Sequence, residues 1–581
     1  MPTSRRTAAS RRNTATRLAP TRQRQSAAPP TTDLADFTDI AGYVALPRVT
    51  ALAVSLDGSR LVAAVQQPDA EGAKYVSALW ELDPAGSADP RRLTFSSKGE
   101  SAPRFAADGT LLFTSARPDT ESDRDDAVAK TAIWRLPEHG EARVVADAAG
   151  GLSIAGVART GAILATTSVI PGAALDTDAS SRKARKDRGV TAILHTSMPI
   201  RYWDHELDDV SPRLVVTDPS GENASQLSDL AIDADTVNLL NASADISPDG
   251  TTVATSWTRR AASAETIDSL VLIDTARRRR KTLVRGTVGN SFGGPLFSPD
   301  GKTLAVARWT TSTPTDTSYS FLELHPLAGG DPVEVPVGDM SIGEFVWAPD
   351  GKALYLAGDL HSRGTIVAID PATGWVRKTV ATNGVYSSLQ PTADGGYLYA
   401  LRSTIDSPPT PVRISLRRTA KPRVLTAPGT IGELPGSLSW VHTELDGIDI
   451  GGWLCTPNGA TAAKPAPLMV WIHGGPHGSY NSWSWRWCPW LAVARGYAVL
   501  MPDPAMSTGY GRAGLNRGWP RLADVVWREV ETLADHVLRR KTLDSNRTAL
   551  LGASFGGFMT NWIAGHTSRF KAIVTHAGLY A

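Results

Sequence analysis

At 581 residues the chain is too long for one hydrophobic core, so two or more domains are expected, one of them large. A formal net charge of +2 with 20% charged residues gives no basis for a nucleic-acid or anionic-membrane partner and fits a small-molecule or peptide substrate better. The two cysteines, Cys455 and Cys488, are too few for a disulfide framework and are expected to be buried thiols; no run reaches the ~18–20 apolar residues of a membrane span, so the expectation is a soluble, cytoplasmic protein.

Residues 1–32 hold seven arginines and no acidic residue, set among Ala, Ser, Thr and Pro. They lack the apolar segment of a secretory signal. Their composition is that of a transit peptide or, more plainly, of a disordered tail that buries too little apolar surface to offset its ordering entropy.

A repeat then occupies residues 51–425. An apolar strand ends in a turn built on Gly, most often Asp-Gly, and a second apolar strand follows, as in "VSLDGSRLVAAV", "ISPDGTTVATSW", "FSPDGKTLAVAR" and "WAPDGKALYLAG". The turn glycines are Gly58, Gly109, Gly161, Gly250, Gly301, Gly351 and Gly395, spaced 51, 52, 89, 51, 50 and 44 residues apart. Glycine takes positive φ without a Cβ clash, and Asp accepts hydrogen bonds from the backbone just after it. Each interval also holds a second strand pair, such as "TIVAIDP" with "VRKTV". Seven four-stranded units that cannot cover both faces alone, stacked in a ring, make a seven-bladed β-propeller.

The 89-residue interval implies an insertion in the third unit, read as a charged, irregular stretch over residues 171–209. It contains "RYWDHELDD", in which Arg201, Trp203, His205 and Glu206 offer a cation, a stacking surface and a carboxylate to a peptide terminus; a solvated loop anchored by Trp203 fits equally. The basic run Arg277 to Lys281 falls at a turn between outer strands and reads as a solvated hairpin, and the acidic cluster near Asp119 reads as a loop without calcium-site spacing.

From about residue 440 strands alternate with helices, which argues for a mostly parallel sheet with helices on its faces over residues 426–581. The strand "PLMVWIHGGPHG" runs into a glycine-rich turn, "YAVLMPDPAMSTGYG" gives the next strand and loop, and a helix is expected from about Trp519 to Arg540. "RTALLGASFGGFMTNWIAG" then reads as strand, sharp turn and helix. The segment "GASFGG" fits the G-x-S-x-G nucleophile elbow in its required setting, making Ser554 the candidate nucleophile and requiring small neighbours at Gly552 and Gly556. An oxyanion needs two donors: the N–H of Phe555 is one, and the N–H of Gly475 is the expected second, with His473 shaping its loop and Tyr510 on the supporting loop. Neither His473 nor His477 has a carboxylate or cysteine at metal-ligand spacing, so neither a metal nor another cofactor is called for.

Seven repeat units followed in order by "HGGPHG", "STGYG" and "GASFGGFM" resemble the prolyl oligopeptidase family of serine peptidases, most closely its acylaminoacyl-peptidase and dipeptidyl-peptidase branch. The resemblance covers nearly the whole chain after the tail. It implies a propeller capping an α/β-hydrolase domain and admitting short peptides, and a segment over residues 33–50 that packs back on the hydrolase domain. Relatives commonly carry Arg-Gly where this chain has Ala505 and Met506, so the loop geometry there is expected to differ. Trp483, Trp485, Trp487 and Trp490 follow the oxyanion turn and either line a hydrophobic pocket or pack a helix against the sheet.

The fold's triad runs Ser, Asp or Glu, then His along the chain. No acidic residue follows Ser554, and the resemblance places neither His566 nor His576 at the base position, so the triad Asp and His are absent from this chain, read as C-terminally truncated and nearly inactive as it stands. The leading function is a serine peptidase acting through an acyl-enzyme on Ser554. The alternatives are an esterase with the same site and a non-catalytic protein that binds peptides on its propeller.

Overall fold

The computed structural model describes Leu34 and residues 36–579, apart from 119–129, 196–199, 203–204, 208, 218–225, 232, 236 and 263–264. The N-terminal tail, the acidic cluster at Asp119 and Trp203 thus lie outside the described residues, as do the side chains of Tyr202, His205 and Glu206.

The Asp-Gly turns explain why the repeat folds as it does. In "SPDG" at residues 247–250, the Asp249 carboxylate accepts from the Ser247 hydroxyl at 2.6 Å and the Thr251 N–H at 3.0 Å, while Gly250 N–H donates to Ser247 O at φ +76°. The same arrangement recurs at Asp57, Asp300 and Asp394. Each turn joins the first two strands of a four-stranded antiparallel sheet, and the sheets occupy residues 48–92, 100–146, 153–229, 244–284, 290–334, 341–381 and 385–424. These are the seven blades of a propeller, and within each the strands lie side by side in chain order.

Because every blade is built from its own stretch of chain, the ring closes between blades 7 and 1 without a shared strand. Leu52 N–H donates to Ser388 Oγ at 2.8 Å, the Tyr399 hydroxyl and Arg413 Nη1 reach Pro84 O at 3.2 and 3.0 Å, and Leu52, Val65 and Trp80 pack with Tyr399 and Leu401. Burial of apolar side chains closes this seam, since few polar contacts cross it.

The short helix α1, Ile40–Ala45, precedes the propeller and is capped by Asp39. The insertion in blade 3 is not irregular throughout: residues Asp178–Asp187 form helix α2, and Arg201–Tyr202 pairs with His205–Glu206 as a two-stranded hairpin. The helix has no apolar period to announce it. It is held instead by Arg182 on Asp178 at 2.7 Å and Lys183 on Asp187 at 2.6 Å, both at four-residue spacing. The basic run lies at the turn between the outer strands of blade 4, where Arg277 pairs with Asp274 and Arg280 with Asp233.

The second domain is a six-stranded sheet: β1 (Gly436–Leu445), β2 (Ile448–Pro457), β3 (Ala466–Ile472), β4 (Ala498–Asp503), β5 (Leu543–Ala553) and β6 (Ala572–His576), in the order β1-β2-β4-β3-β5-β6. The strands β4, β3, β5 and β6 are parallel, whereas β1 and β2 form an antiparallel hairpin turned at Asp446-Gly447, both at positive φ. The expected strand-helix alternation therefore begins one hairpin late. The Asp-Gly dipeptide between two apolar runs was its signal.

Helices α5 (Leu522–Leu538) and α6 (Phe555–Ala564) bury Val526, Val530, Leu533, Met559 and Ile563 on one face of the sheet. The helix expected at residues 519–540 starts as a 3-10 turn over 519–521, and helix α4, Gly511–Gly518, precedes it. On the opposite face, α3 (Pro489–Val493) and the segment around Leu34, Phe37, Tyr43 and Leu46 cover Cys455, Trp471, Val499 and Met501. Leu34 is tied to the chain at Thr430 and Gly432, and the Tyr43 hydroxyl donates to Trp485 O at 3.0 Å. Cys455 and Cys488 are both buried free thiols. No helix among the described residues is long and apolar enough to cross a membrane.

If the seam closes by apolar burial, Leu401→Ala, at a site only 2% exposed, lowers the unfolding free energy by about 2–5 kcal/mol. A urea titration monitored by tryptophan fluorescence checks this; an unchanged midpoint would assign closure to the polar contacts instead.

Candidate active site

Strand β5 ends at Ala553 and α6 begins at Phe555, leaving a single residue to reverse the chain. That residue, Ser554, has φ 55° and ψ −117°, a conformation L residues adopt only when their surroundings enforce it. The surroundings are visible. Ser554 N–H donates to His576 O of β6 at 3.0 Å, and Ser554 O accepts the first helical bond from Phe558 N–H at 2.9 Å. A side chain at Gly552 would strike Gly556 O, one at Gly556 would strike Ile472 O of β3, and one at Gly557 would lie 2.7 Å from Gly578 Cα. The glycines let helix and strands approach closely enough to lock the bend. The serine side chain itself is half-buried, and its hydroxyl caps no helix N–H.

Beside the elbow lies the "HGGPHG" turn. A Cβ on Gly474 would sit 3.5 Å from Ser554 Cβ, so this turn and the nucleophile share one wall. Gly475 has φ +131° and its Cα faces the backbone of His477, where a Cβ would lie 2.5 Å from the His477 nitrogen. Among the described residues neither the Phe555 nor the Gly475 N–H has a hydrogen-bond acceptor. His473 is nearly fully buried; its Nδ1 donates to Gly474 O and its Nε2 lies 2.9 Å from Ser507 Oγ, while burial pushes its pKa down and keeps the ring neutral. Burial lowers the pKa of His477 as well, and its Nε2 meets Thr317 Oγ1 of blade 5 at 2.8 Å.

The "STGYG" loop braces the turn: Thr508 N–H donates to Gly478 O at 3.0 Å. Its glycines also seat it against the propeller. Gly509 O accepts from His361 N–H, Gly509 N–H donates to Ser341 Oγ, and Gly511 N–H donates to Asp339 O, each at 2.9 Å. At the departure from the family pattern, Met506 is fully buried at φ 77°, and Ala505 N–H is held at 2.5 Å by Glu529, itself paired with Arg517. The partners of Tyr510 are Asp503, 3.5 Å from its hydroxyl, and the His361 ring at 5.7 Å. Desolvation drives the Tyr510 phenol far above its usual range, followed by the Asp503 charge.

The remaining sequence candidates are dispersed. Trp483 and Trp490 are buried against Phe37, Tyr43 and Trp471, and Trp490 Nε1 donates to Ile405 O of blade 7. Trp487 is partly buried, between the rings of Trp471 and His576. Packing thus accounts for Trp483 and Trp490, against the N-terminal segment and blade 7 as well as the sheet. His566 stacks on Trp562 and bonds Trp562 O at the end of α6. Of the Arg201–Glu206 hairpin, the backbone pairing of Arg201 with Glu206 and of Tyr202 with His205 is what the structure describes.

Sequence reasoning missed a buried acid. Asp503, at the end of β4, is 4% exposed, accepts from Ser479 Oγ at 2.9 Å and neighbours Asp359 of blade 6. Asp359 in turn accepts from Asn481 and Thr508 at 2.8 Å. Desolvation and then, more weakly, the Asp359 charge push the Asp503 pKa up to about 7, against the pull of hydrogen bonds from Ser362 and Ser479.

Residues 483–581 match the model of the prolyl oligopeptidase family. A probable dipeptidyl-peptidase 5 of Emericella nidulans is 33% identical over 314 residues, 51% of this chain and 42% of that protein. Dipeptidyl-peptidase 5 of Trichophyton equinum is 29% identical over 316 residues, 50% and 42% of the two chains. The matched stretch therefore spans less than half the length of these relatives. Among solved structures, an acylaminoacyl peptidase of Pyrococcus horikoshii has a TM-score of 0.72 at 15% identity, covering 94% of this chain and 79% of that one. A puromycin-hydrolysing peptidase of Mycobacterium tuberculosis has a TM-score of 0.62 at 17% identity with the same coverage. Likeness at that identity establishes the fold, a propeller with an α/β-hydrolase domain.

The raised pKa of Asp503 makes stability depend on pH. Between its ordinary value of 3.8 and about 7 the folded protein keeps a proton that the unfolded chain releases, so its contribution is complete below that window and is lost as the pH rises through it. Asp503→Asn, which mimics the protonated acid, is expected to melt at a higher temperature than the parent at pH 8, with the gap closing toward pH 4. A gap independent of pH would contradict the assignment.

Proposed function

Taking as premise that the chain belongs to the prolyl oligopeptidase family, we propose that it is a serine peptidase hydrolysing short peptides through an acyl-enzyme on Ser554. The hydroxyl oxygen attacks the scissile carbonyl carbon, its proton passes to a base, and the carbonyl electrons collect on an oxyanion held by the N–H groups of Phe555 and Gly475. Collapse expels the amine, which takes up the proton, and water releases the acyl group by the same steps. His473, His477 and His566 are engaged by Ser507, Thr317 and Trp562, so none of these three is assigned as base.

The observation that carries this reading is the enforced backbone of Ser554 at the start of α6, next to a second turn whose Gly475 N–H has no acceptor among the described residues. The same turn contacts blade 5, and its supporting loop contacts blade 6 and Asp339 in the link before it, which supports a catalytic face lying under the propeller and a substrate range limited to short or unfolded peptides.

The test uses protein expressed from its complete natural reading frame. A fluorophosphonate probe is expected to label Ser554, Ser554→Ala to abolish labelling, and Gly475→Ala to slow it by up to about 10²–10³-fold, because alanine keeps the N–H but its Cβ would meet the His477 backbone at φ +131° and force the donor out of position. Labelling that survives Ser554→Ala, or a parent protein that is never labelled, would refute the nucleophile.

A further inference from the structure

Blade 5 sends one loop out of the ring and onto the catalytic domain. Its second strand ends at Thr310 and its third begins at Ser320, and the residues between are folded on themselves: Thr313 N–H donates to Asp316 O at 2.7 Å and Ser318 N–H to Ser312 Oγ at 2.9 Å. The loop is fastened to α4 and the 3-10 turn after it. Thr317 N–H donates to Asn516 Oδ1 and Asn516 Nδ2 donates to Asp316 Oδ1, both at 2.9 Å, and Trp519 Nε1 donates to Thr313 O at 2.7 Å.

At its tip Thr317 is 1% exposed, and its hydroxyl lies 2.8 Å from His477 Nε2. A buried hydroxyl needs a partner, and here it meets a half-buried imidazole whose pKa desolvation lowers, so that each satisfies the other. His477 is the outer shoulder of the turn whose inner shoulder is Gly475, and the two backbones are in contact. The other braces on the turn, His473 on Ser507 and Thr508 on Gly478, come from within the catalytic domain. Among the described residues Thr317 is the propeller side chain hydrogen-bonded to it.

We propose that Thr317 is a positioning residue through which seating of the propeller fixes the oxyanion turn, so that the Gly475 N–H is aligned with the oxyanion only while the blade-5 loop is docked. The inference rests on the peptidase reading of Ser554 and adds a link that the reading does not require.

The experiment compares the parent with Thr317→Val, which keeps the shape and removes the hydroxyl, and Thr317→Ser, which keeps the hydroxyl. Two readouts are taken on the full protein: amide hydrogen exchange of the peptide covering residues 473–479, and the rate of Ser554 phosphonylation against fluorophosphonate concentration. Thr317→Val is expected to speed exchange in that peptide and to lower the maximal phosphonylation rate by about tenfold with unchanged half-saturation, as the loss of ~1.4 kcal/mol at the barrier would. Thr317→Ser is expected to behave as the parent, and peptides from β5 to exchange alike in all three. Asn516→Ala, which loosens the loop from α4, should shift both readouts in the same direction if Thr317→Val fails to fold. Equal rates in parent and Thr317→Val, a rate loss without faster exchange, or a Ser variant as slow as the Val variant would overturn the inference while leaving the peptidase reading intact. A parent that is never phosphonylated would remove the reading itself.

Discussion

The structure turns on a steric constraint at one peptide unit. Between β5 and α6 there is room for one residue, and its φ and ψ are those an L-amino acid avoids unless held. What holds it is the near contact of three backbones, at Gly552 and Gly556 with Ile472 and at Gly557 with Gly578, together with the hydrogen bond from Ser554 N–H to β6. Strain of this kind costs on the order of 1–3 kcal/mol, and a parallel sheet packed on both faces can absorb it. The result is a hydroxyl presented at the sheet's edge next to the N–H groups of Phe555 and Gly475, which have no acceptor among the described residues.

The surroundings of that hydroxyl depend on both domains. The "HGGPHG" and "STGYG" loops brace each other, and the second is seated on blade 6 and on Asp339 in the link before it by hydrogen bonds to its glycines. A side chain at Gly509 would meet the backbone of residues 359–361, and one at Gly511 would strike Asp339. The motif therefore serves docking as much as local loop geometry. On the far side, the N-terminal segment and the tryptophan-rich stretch join the sheet to blade 7 through Trp483 N–H on Ser403 Oγ and Trp490 on Ile405 O. Propeller and sheet form one mechanical body around the site, which is why a buried acid such as Asp503 can sit at their junction, shielded from water on both sides.

How much of this could be read from sequence follows from the range of the forces involved. The blade repeat was legible because its Ser/Thr-x-Asp-Gly turns satisfy themselves within five residues, and the elbow because strand, serine and helix are contiguous. Helix α2 was not, since it is held by ion pairs on a polar surface and carries no apolar stripe. The hairpin of β1 and β2 was passed over although Asp446-Gly447 marks it. Contacts across the domains were out of reach: Thr317 and His477 are 160 residues apart, and nothing in either neighbourhood names the other. Tyr510 was placed on the supporting loop by its motif; of its partners, Asp503 ends β4 in the same domain, and only His361 is brought by the docking of blade 6.

The most direct measurement is a crystal structure of the protein after reaction with a phosphonate that bonds covalently to Ser554 Oγ and mimics the tetrahedral intermediate. The account predicts a phosphoryl oxygen within about 2.7–3.1 Å of both the Phe555 and the Gly475 nitrogen, beneath the docked propeller. An adduct on another residue, or an oxygen turned away from those two N–H groups, would contradict it.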